Sequence, residues 1–397
     1  MTTSWTKIRL GDVITLQRGF DLPERDRVAG GVPIVSSSGI SGYHSEAKVS
    51  APGVVTGRYG TLGEVFYVDV DFWPLNTTLW VKDFKGNCPR FISYLLRTLN
   101  LGTQNAAGAV PGLNRNALHL LPVQVPPRSI QERIASILSA YEDLIESNAR
   151  RIRILEEVAQ LIYREWFVNF RFPGHDRVRM TQSEMGVVPA GWCQPYPNYV
   201  DYLEGPGLRK WEFRDTGIPF LNVRNLIDHD IETGKSHCVD AEIGSGKYRH
   251  FLLAEDDHVV SSSGTLGRIA TVRKRHLPVM LNTGIIRMRA KTEAFGKWQI
   301  KHFLQSEYFQ KQIRALAMGV AQIHFGPSHL KQMKVVVPPP EIGRAYEALV
   351  DPVEELMCNF VEQNRNLRAA GDLLLPKLVS GEINLERFES EAIALGV

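Results

Sequence analysis

Apolar positions along the chain fall into two kinds of pattern. Ile134, Leu138, Tyr141, Ile145, Ile152, Leu155, Ala159, Ile162 and Trp166 recur at alternating spacings of four and three, with Asn148 inside the series. This is the a/d spacing of a helix with one buried seam. A second seam lies 212 residues later, through Tyr346, Val350, Val353, Met357, Phe360, Asn364, Leu367, Gly371, Leu374 and Leu378. Pro352 is expected to restart this helix with Asp351 as its cap, and Pro376 to kink or end it near Leu374. One such seam means a core-facing helix, whereas two in one chain favour packing of each on the other. Ahead of each seam the pattern changes to short β-branched runs between Gly/Pro turns. Val54-Val55-Thr56, Val65-Phe66-Tyr67-Val68 and Ile285-Ile286-Arg287-Met288-Arg289 read as strands. Short helices are expected near 90–98 and 297–313. A strand ending at Pro126-Pro127 or Pro338-Pro339 precedes each long helix, because proline cannot donate to a ladder.

The two halves are copies of one plan. Gly31-Val32-Pro33-Ile34-Val35 matches Gly217-Ile218-Pro219-Phe220-Leu221, and Gly60-Thr61-Leu62-Gly63 recurs unchanged as Gly264-Thr265-Leu266-Gly267. Asn76-Thr77 matches Asn282-Thr283, and Val123-Gln124-Val125-Pro126-Pro127 matches Val335-Val336-Val337-Pro338-Pro339. A unit this long is a duplicated domain plus connector, not a solenoid repeat.

Each seam holds one asparagine, and the two are not equivalent: Asn148 aligns with Phe360, and Asn364 with Ile152. In an antiparallel pair whose midpoint lies level with Arg150 and Glu362, the two amides meet, Tyr141 faces Gly371 and Ala159 faces Val353. A slide of one heptad strands both amides, at about 1–3 kcal/mol for each unpartnered group. Asn148 and Asn364 are therefore expected to fix the helix register.

Composition adds little to this picture. The 397 residues are 44% hydrophobic and 22% charged with net charge +3, which fits two or three globular domains and gives only a weak basic bias. Cys88, Cys193, Cys238 and Cys358 form no C-x-x-C pair, which argues against a zinc site or disulfide framework and for a reducing cytosol. The first residues lack an apolar signal region, and no run is long enough for a membrane span.

Arg58-Tyr59-Gly60-Thr61-Leu62-Gly63, Asn76, Leu113-Asn114 and Pro126-Pro127-x-x-Ile130-Gln131-Glu132 resemble the target recognition domains and first conserved region of Type I restriction-modification specificity subunits. Leu373-Leu374-Leu375-Pro376-Lys377-Leu378-Val379-Ser380-Gly381-Glu382-Ile383 is similar to the end of their second conserved region. One departure is Gly343, where the first copy has Gln131. The resemblance implies an α+β fold with two mixed α/β target recognition domains joined by two long antiparallel helices, a pseudo-twofold duplication. The division is then 1–127 and 173–339 for the recognition domains, 128–172 and 340–381 for the conserved helices, and 382–397 for a tail. It also implies partners: double-stranded DNA, two adenine methyltransferase (modification) subunits and translocase-nuclease (restriction) subunits. The chain itself is expected to be a non-catalytic, cytoplasmic reader of a bipartite asymmetric target. No cofactor or metal is expected.

The motif inventory agrees with a non-enzyme. The proline pairs do not sit in an N/D-P-P-Y/F loop. Gly244-Ser245-Gly246-Lys247-Tyr248 fails as a phosphate loop, since Ala241 takes the first glycine position and Tyr248 the Ser/Thr position. Residues suited to base edges are Ser36, Ser37, Ser38, Tyr43, His44, Arg58 and Tyr59 in the first copy. In the second they are Asn222, Arg224, Asn225, Ser261, Ser262, Ser263, Arg268, Gln322 and His324. The competing reading of each is a solvated turn residue. The glycine loops are read as scaffold, with the differing flanks Arg58-Tyr59 and Ser262-Ser263 as the reading part. The basic run Arg273-Lys274-Arg275-His276, opposite Asp69-Val70-Asp71 in the first copy, reads as a solvated hairpin tip. Competing functions are a stand-alone DNA-binding regulatory protein and a coiled-coil assembly protein.

Overall fold

A computed structural model describes residues 5–103, 112–227, 230–234, 236–315, 324–383 and 385. The chain divides into two compact units, residues 1–149 with 361–397, and residues 150–360. The boundary cuts both long helices, so each unit contains half of each helix as well as its own recognition domain.

The first unit is built on a four-stranded antiparallel sheet. Its order is Thr15–Arg18, Thr78–Asp83, Gly53–Gly57, Val65–Val68. A three-stranded sheet adjoins it in sequence: Gly39–His44, Val32–Ser36 and Trp73–Pro74, the last pair parallel. The strand Thr6–Arg9 pairs with Pro122–Val125 immediately before the first long helix, Arg128–Phe167. Helix Pro89–Thr98 buries Phe91, Ile92, Leu95 and Leu96 against the sheet and against Ile134 and Leu138 of the long helix. Leu378 and Val379 of the second long helix, Pro340–Ser380, enter the same core. Further along, Asn148 meets Asn364, so the two helices run antiparallel in this unit.

The second unit repeats this topology. Its four-stranded sheet runs Val200–Glu204, Ile285–Ala290, His258–Ser261, Ile269–Thr271, and Cys193–Pro195 pairs with Lys334–Val336 ahead of the second long helix. The expected helix over 297–313 is two, Lys297–Gln305 and Glu307–Ala315. The core is more aromatic: Tyr163 and Phe167 of the first long helix pack with Tyr346 of the second, Phe167 and Tyr346 edge to face at 4.8 Å.

The second long helix corrects the expectation of a restart at Pro352 and of an end near Leu374. It is continuous over 41 residues and passes through both Pro352 and Pro376. Each proline removes one intrahelical bond, but the flanking turns are held by core packing at Val350, Met357 and Leu378. Asp351 is no cap; its Oδ1 accepts a 2.6 Å bond from Trp298 Nε1. The departure at Gly343 is also explained. In the first unit Gln131 Oε1 accepts from Cys88 N at 2.9 Å, filling an orphan donor at the start of helix Pro89–Thr98. Gly343 cannot do this, and a Cβ there would sit 2.7 Å from Ala294 O. One turn later Glu347 takes over, accepting from Trp298 N at 3.2 Å and Gln299 N at 2.9 Å. Replacing Gln131 by alanine is expected to cost the first unit about 1–3 kcal/mol, because Cys88 N is then buried unbonded. An unchanged denaturation midpoint would contradict this.

A carboxylate at matching positions ties each recognition domain to a long helix. Glu142 accepts from Arg90 at 2.8 Å, Tyr94 at 2.9 Å and Arg97 at 2.6 Å. Glu354, 212 residues on, accepts from Lys301 and from His302 Nε2 at 2.9 Å, and His302 Nδ1 bonds Tyr346 at 2.6 Å.

Candidate nucleic-acid interface

In the first unit the glycine loop is locked from below. Arg58 N and Tyr59 N both donate to Thr77 O, at 2.8 and 3.2 Å, and Leu113 N donates to Arg58 O at 3.0 Å. Gly63 has φ +79°, and a Cβ there would sit 2.5 Å from Gly102 N, so glycine is needed both for the turn and for the close approach. What the loop presents is the Arg58 guanidinium lying 4.4 Å over the Tyr59 ring, with Tyr59 covering Gly112. The turn after Val32–Ser36 approaches the same loop, with Ser37 beside Gly57 and Gly60. Ser36 Oγ is occupied by Gly39 O at 2.9 Å and shares a 3.1 Å contact with Ser38 Oγ. Ser37, Ser38, Arg58 and Tyr59 are therefore brought together. Tyr43 is exposed but pairs opposite Pro33, at the far end of its hairpin from that turn. His44 is a correction: it is buried, accepts from Val28 N at 3.0 Å and meets Trp73 edge-on at 5.1 Å.

The second unit sorts its candidates in the same way. Ser261, Ser262 and Asn225 are buried and belong to the scaffold. Ser261 Oγ donates to Thr265 O at 2.5 Å and accepts from Arg268 N at 2.8 Å, closing the glycine loop from within. Ser262 pairs through its backbone with Gly284 and Phe325, and its Oγ has no partner. Asn225 holds the loop after Asn222, bonding Glu232 O, Ser236 Oγ and Asn222 N. Asn222, Arg224, Ser263, Arg268 and His324 remain accessible. Ser263 bridges to His324, whose Nε2 lies 3.6 Å from Glu204 Oε1, and Arg268 Nη1 donates to Leu226 O at 3.3 Å. Gln322 lies outside the described residues.

The basic run at 273–276 is not a solvated tip. It is a one-turn 3-10 helix with Arg275 and His276 against Asp230, and Arg273 3.5 Å from Asp256. The hydrogen-bonding code of the sequence missed Asn282, which anchors Asn222 Oδ1 through a 2.9 Å bond. Its match to Asn76 was the available signal. Among the described residues no group of three His, Cys, Asp or Glu could hold a metal, and no helix is long and apolar enough to cross a membrane.

Residues 3–157 match the family model described as the Type I restriction modification DNA specificity domain. The Type I restriction enzyme MjaIX specificity subunit of Methanocaldococcus jannaschii is 23% identical over 81% of this chain and 76% of its own length. Over most of its length the chain is similar to Type I specificity subunits. The MjaVIII specificity subunit of the same organism is 22% identical over 75% of this chain and 70% of its own. The Type I specificity subunit from M. genitalium shares the fold, with TM-score 0.61 at 15% identity over 95% of this chain and 96% of that one. The paired loop systems above are the candidate DNA-facing surfaces, and the buried side chains of Ser261, Asn225 and His44 hold local turns beneath them.

Proposed function

We propose that this chain reads a bipartite, asymmetric duplex-DNA target, one half-site per recognition domain, and carries methyltransferase subunits on its long helices without catalysing a reaction itself. The observation that carries this reading is a duplicated scaffold whose accessible rim side chains differ. Both units keep one sheet order and one locked glycine loop, while the accessible side chains differ: Arg58 and Tyr59 in one, Asn222, Ser263, Arg268 and His324 in the other. Arginine suits guanine edges and asparagine suits adenine, so two such rims read two sequences. Support for two copies of one partner comes from exposed leucines at matching helix positions. Leu144 and Leu356 are both 43% exposed, and Leu161 and Leu373 are 52% and 68% exposed. Their recurrence at the 212-residue offset supports a docking surface used twice.

The test is the host methylome with and without this gene. An interrupted, non-palindromic motif is expected to vanish on deletion, and exchange of residues 175–338 with a relative's segment is expected to change one half of it. A continuous or palindromic motif, or a swap that alters both halves, would overturn the two-reader assignment. Binding of the purified chain to its site with no methyltransferase in pull-down would favour the stand-alone regulator.

A further inference from the structure

Trp211 is 73% exposed, whereas Trp73, Trp80, Trp192 and Trp298 are all buried. It sits on a one-turn 3-10 helix, Lys210–Glu212, that is built to hold it out. The Glu212 carboxylate accepts from Arg209 N at 2.9 Å and from Tyr248 OH at 2.5 Å, and lies 3.4 Å from Lys247 Nζ. These contacts hold its carboxyl below the usual range, the Tyr248 bond foremost. Lys247 and Tyr248 are the end of the failed phosphate loop, so that segment serves as a brace for this turn. Arg214 Nη1 donates to Trp211 O at 2.8 Å, and the Arg209 guanidinium lies 5.8 Å from the indole. Arg209, Lys210 and Arg214 are all exposed on this segment.

The position is tied to the recognition rim. Pro206 O accepts from Thr283 N at 3.1 Å, and a Cβ on Gly205 would sit 2.3 Å from Asn282 O. The first unit has the same device: a Cβ on Gly19 would sit 2.1 Å from Leu75 O, beside Asn76. Six residues beyond each glycine, on a matching 3-10 turn, comes an outward side chain: Arg25 in one copy and Trp211 in the other. We infer that Trp211 is a specificity-determining DNA contact, its ring packed on an apolar base edge such as a thymine methyl group of one half-site while Arg209, Lys210 and Arg214 meet the flanking phosphates. An exposed indole with one guanidinium beside it and two further exposed cations on the same segment matches a polyanion that also offers apolar groups. This rests on the DNA-reading function proposed above.

The test uses the full chain, with any subunits that co-purify, and duplexes carrying the methylome-defined motif with both halves intact or either half scrambled. Trp211→Ala is expected to bind the intact duplex about ten- to thirtyfold more weakly, the scale of a well-packed interfacial aromatic, and Trp211→Phe within about threefold of wild type. Scrambling one particular half-site is expected to abolish the difference between wild type and Trp211→Ala. Circular dichroism and melting are expected to be unchanged, and acrylamide quenching of the exposed tryptophan is expected to fall when DNA is added. Wild type without sequence preference would sink the DNA-reading function itself. A selective wild type matched by Trp211→Ala would sink only the present inference. So would an equal loss on every duplex, or quenching already suppressed by a protein subunit before DNA is added.

Discussion

Glu354→Ala is expected to destabilise the second unit by about 3–5 kcal/mol, because it leaves a buried cation without its counter-ion. Glu354 is 1% exposed, and Lys301 and His302 converge on it from helix Lys297–Gln305. Burial alone would raise the Glu354 carboxyl, but the Lys301 charge and the His302 bond outweigh it and hold the group at about 2. Replacing both charged members with apolar residues of similar volume, Lys301→Met with Glu354→Leu, is expected to lose less than Glu354→Ala, about 1–3 kcal/mol, since neither charge is then stranded and only the His302 Nε2 donor lacks its acceptor. Glu142→Ala is the internal control. Its side chain is 34% exposed and its arginines reach water, so the expected loss is about 1 kcal/mol or less. Hydrogen exchange resolved by unit measures all three; equal losses for Glu142→Ala and Glu354→Ala would contradict the argument.

The same network sets an acid limit. Burial lowers both His302 and His258, the latter to about 3, so the folded chain takes up a proton at either ring only at lower pH than the unfolded chain, which does so below about 6.5. All three folded-state values are depressed, so their stabilisation is complete above the unfolded values and is lost as pH falls toward the folded ones. The second unit is expected to weaken first between pH 6.5 and 4.5 through the histidines, then further below 4.5 through Glu354. A flat melting temperature from pH 7 to 4 would refute this.

The second large effect is expected at the helix seam. Asn148 Nδ2 donates to Asn364 Oδ1 at 3.0 Å, and Asn364 Nδ2 donates to Ile145 O at 3.2 Å. Both residues are buried. Asn148→Leu or Asn364→Leu is expected to cost about 1–3 kcal/mol by leaving the partner amide unsatisfied. The double leucine chain is expected to lose less than the sum of the singles, and less than the worse of them, because no polar group is then stranded. A double-mutant cycle with strictly additive losses would show that the two amides are uncoupled. Ile134, Leu138 and Leu378 share one core in this unit, so the domain anchor specifies the same register as the amides do.

What could be read from the sequence was what repeats. The duplication, the strands flanking each glycine loop and the two seams rest on periodicity, which survives without knowledge of contacts. Side-chain roles were legible only where the chemistry leaves one choice. Ser261, Ser262, Asn225 and His44 look like groove-reading residues by type, yet they spend their polar groups, or only their backbone, on local turns. Proline at 352 and 376 suggested breaks because local propensity was weighed without the tertiary packing that carries the helix through. The Glu142 and Glu354 clamps were missed, although a glutamate recurring at the 212 offset was in plain view; their partners come from helices far away in sequence.

The one-turn displacement between Gln131 and Glu347 governs which grafts between the halves can succeed. Each long helix supplies the capping group for a helix of the recognition domain that precedes it, but from a different turn. A first-copy helix start placed after the second domain would bring a side chain onto Ala294 O and leave Trp298 N and Gln299 N without their acceptor. Recombination that moves a recognition domain between such genes therefore has a compatibility rule: the incoming helix must present its free amides to the turn on which the resident helix keeps its acceptor, Gln131 or Glu347. Exchange between the first and second halves of this chain breaks that rule.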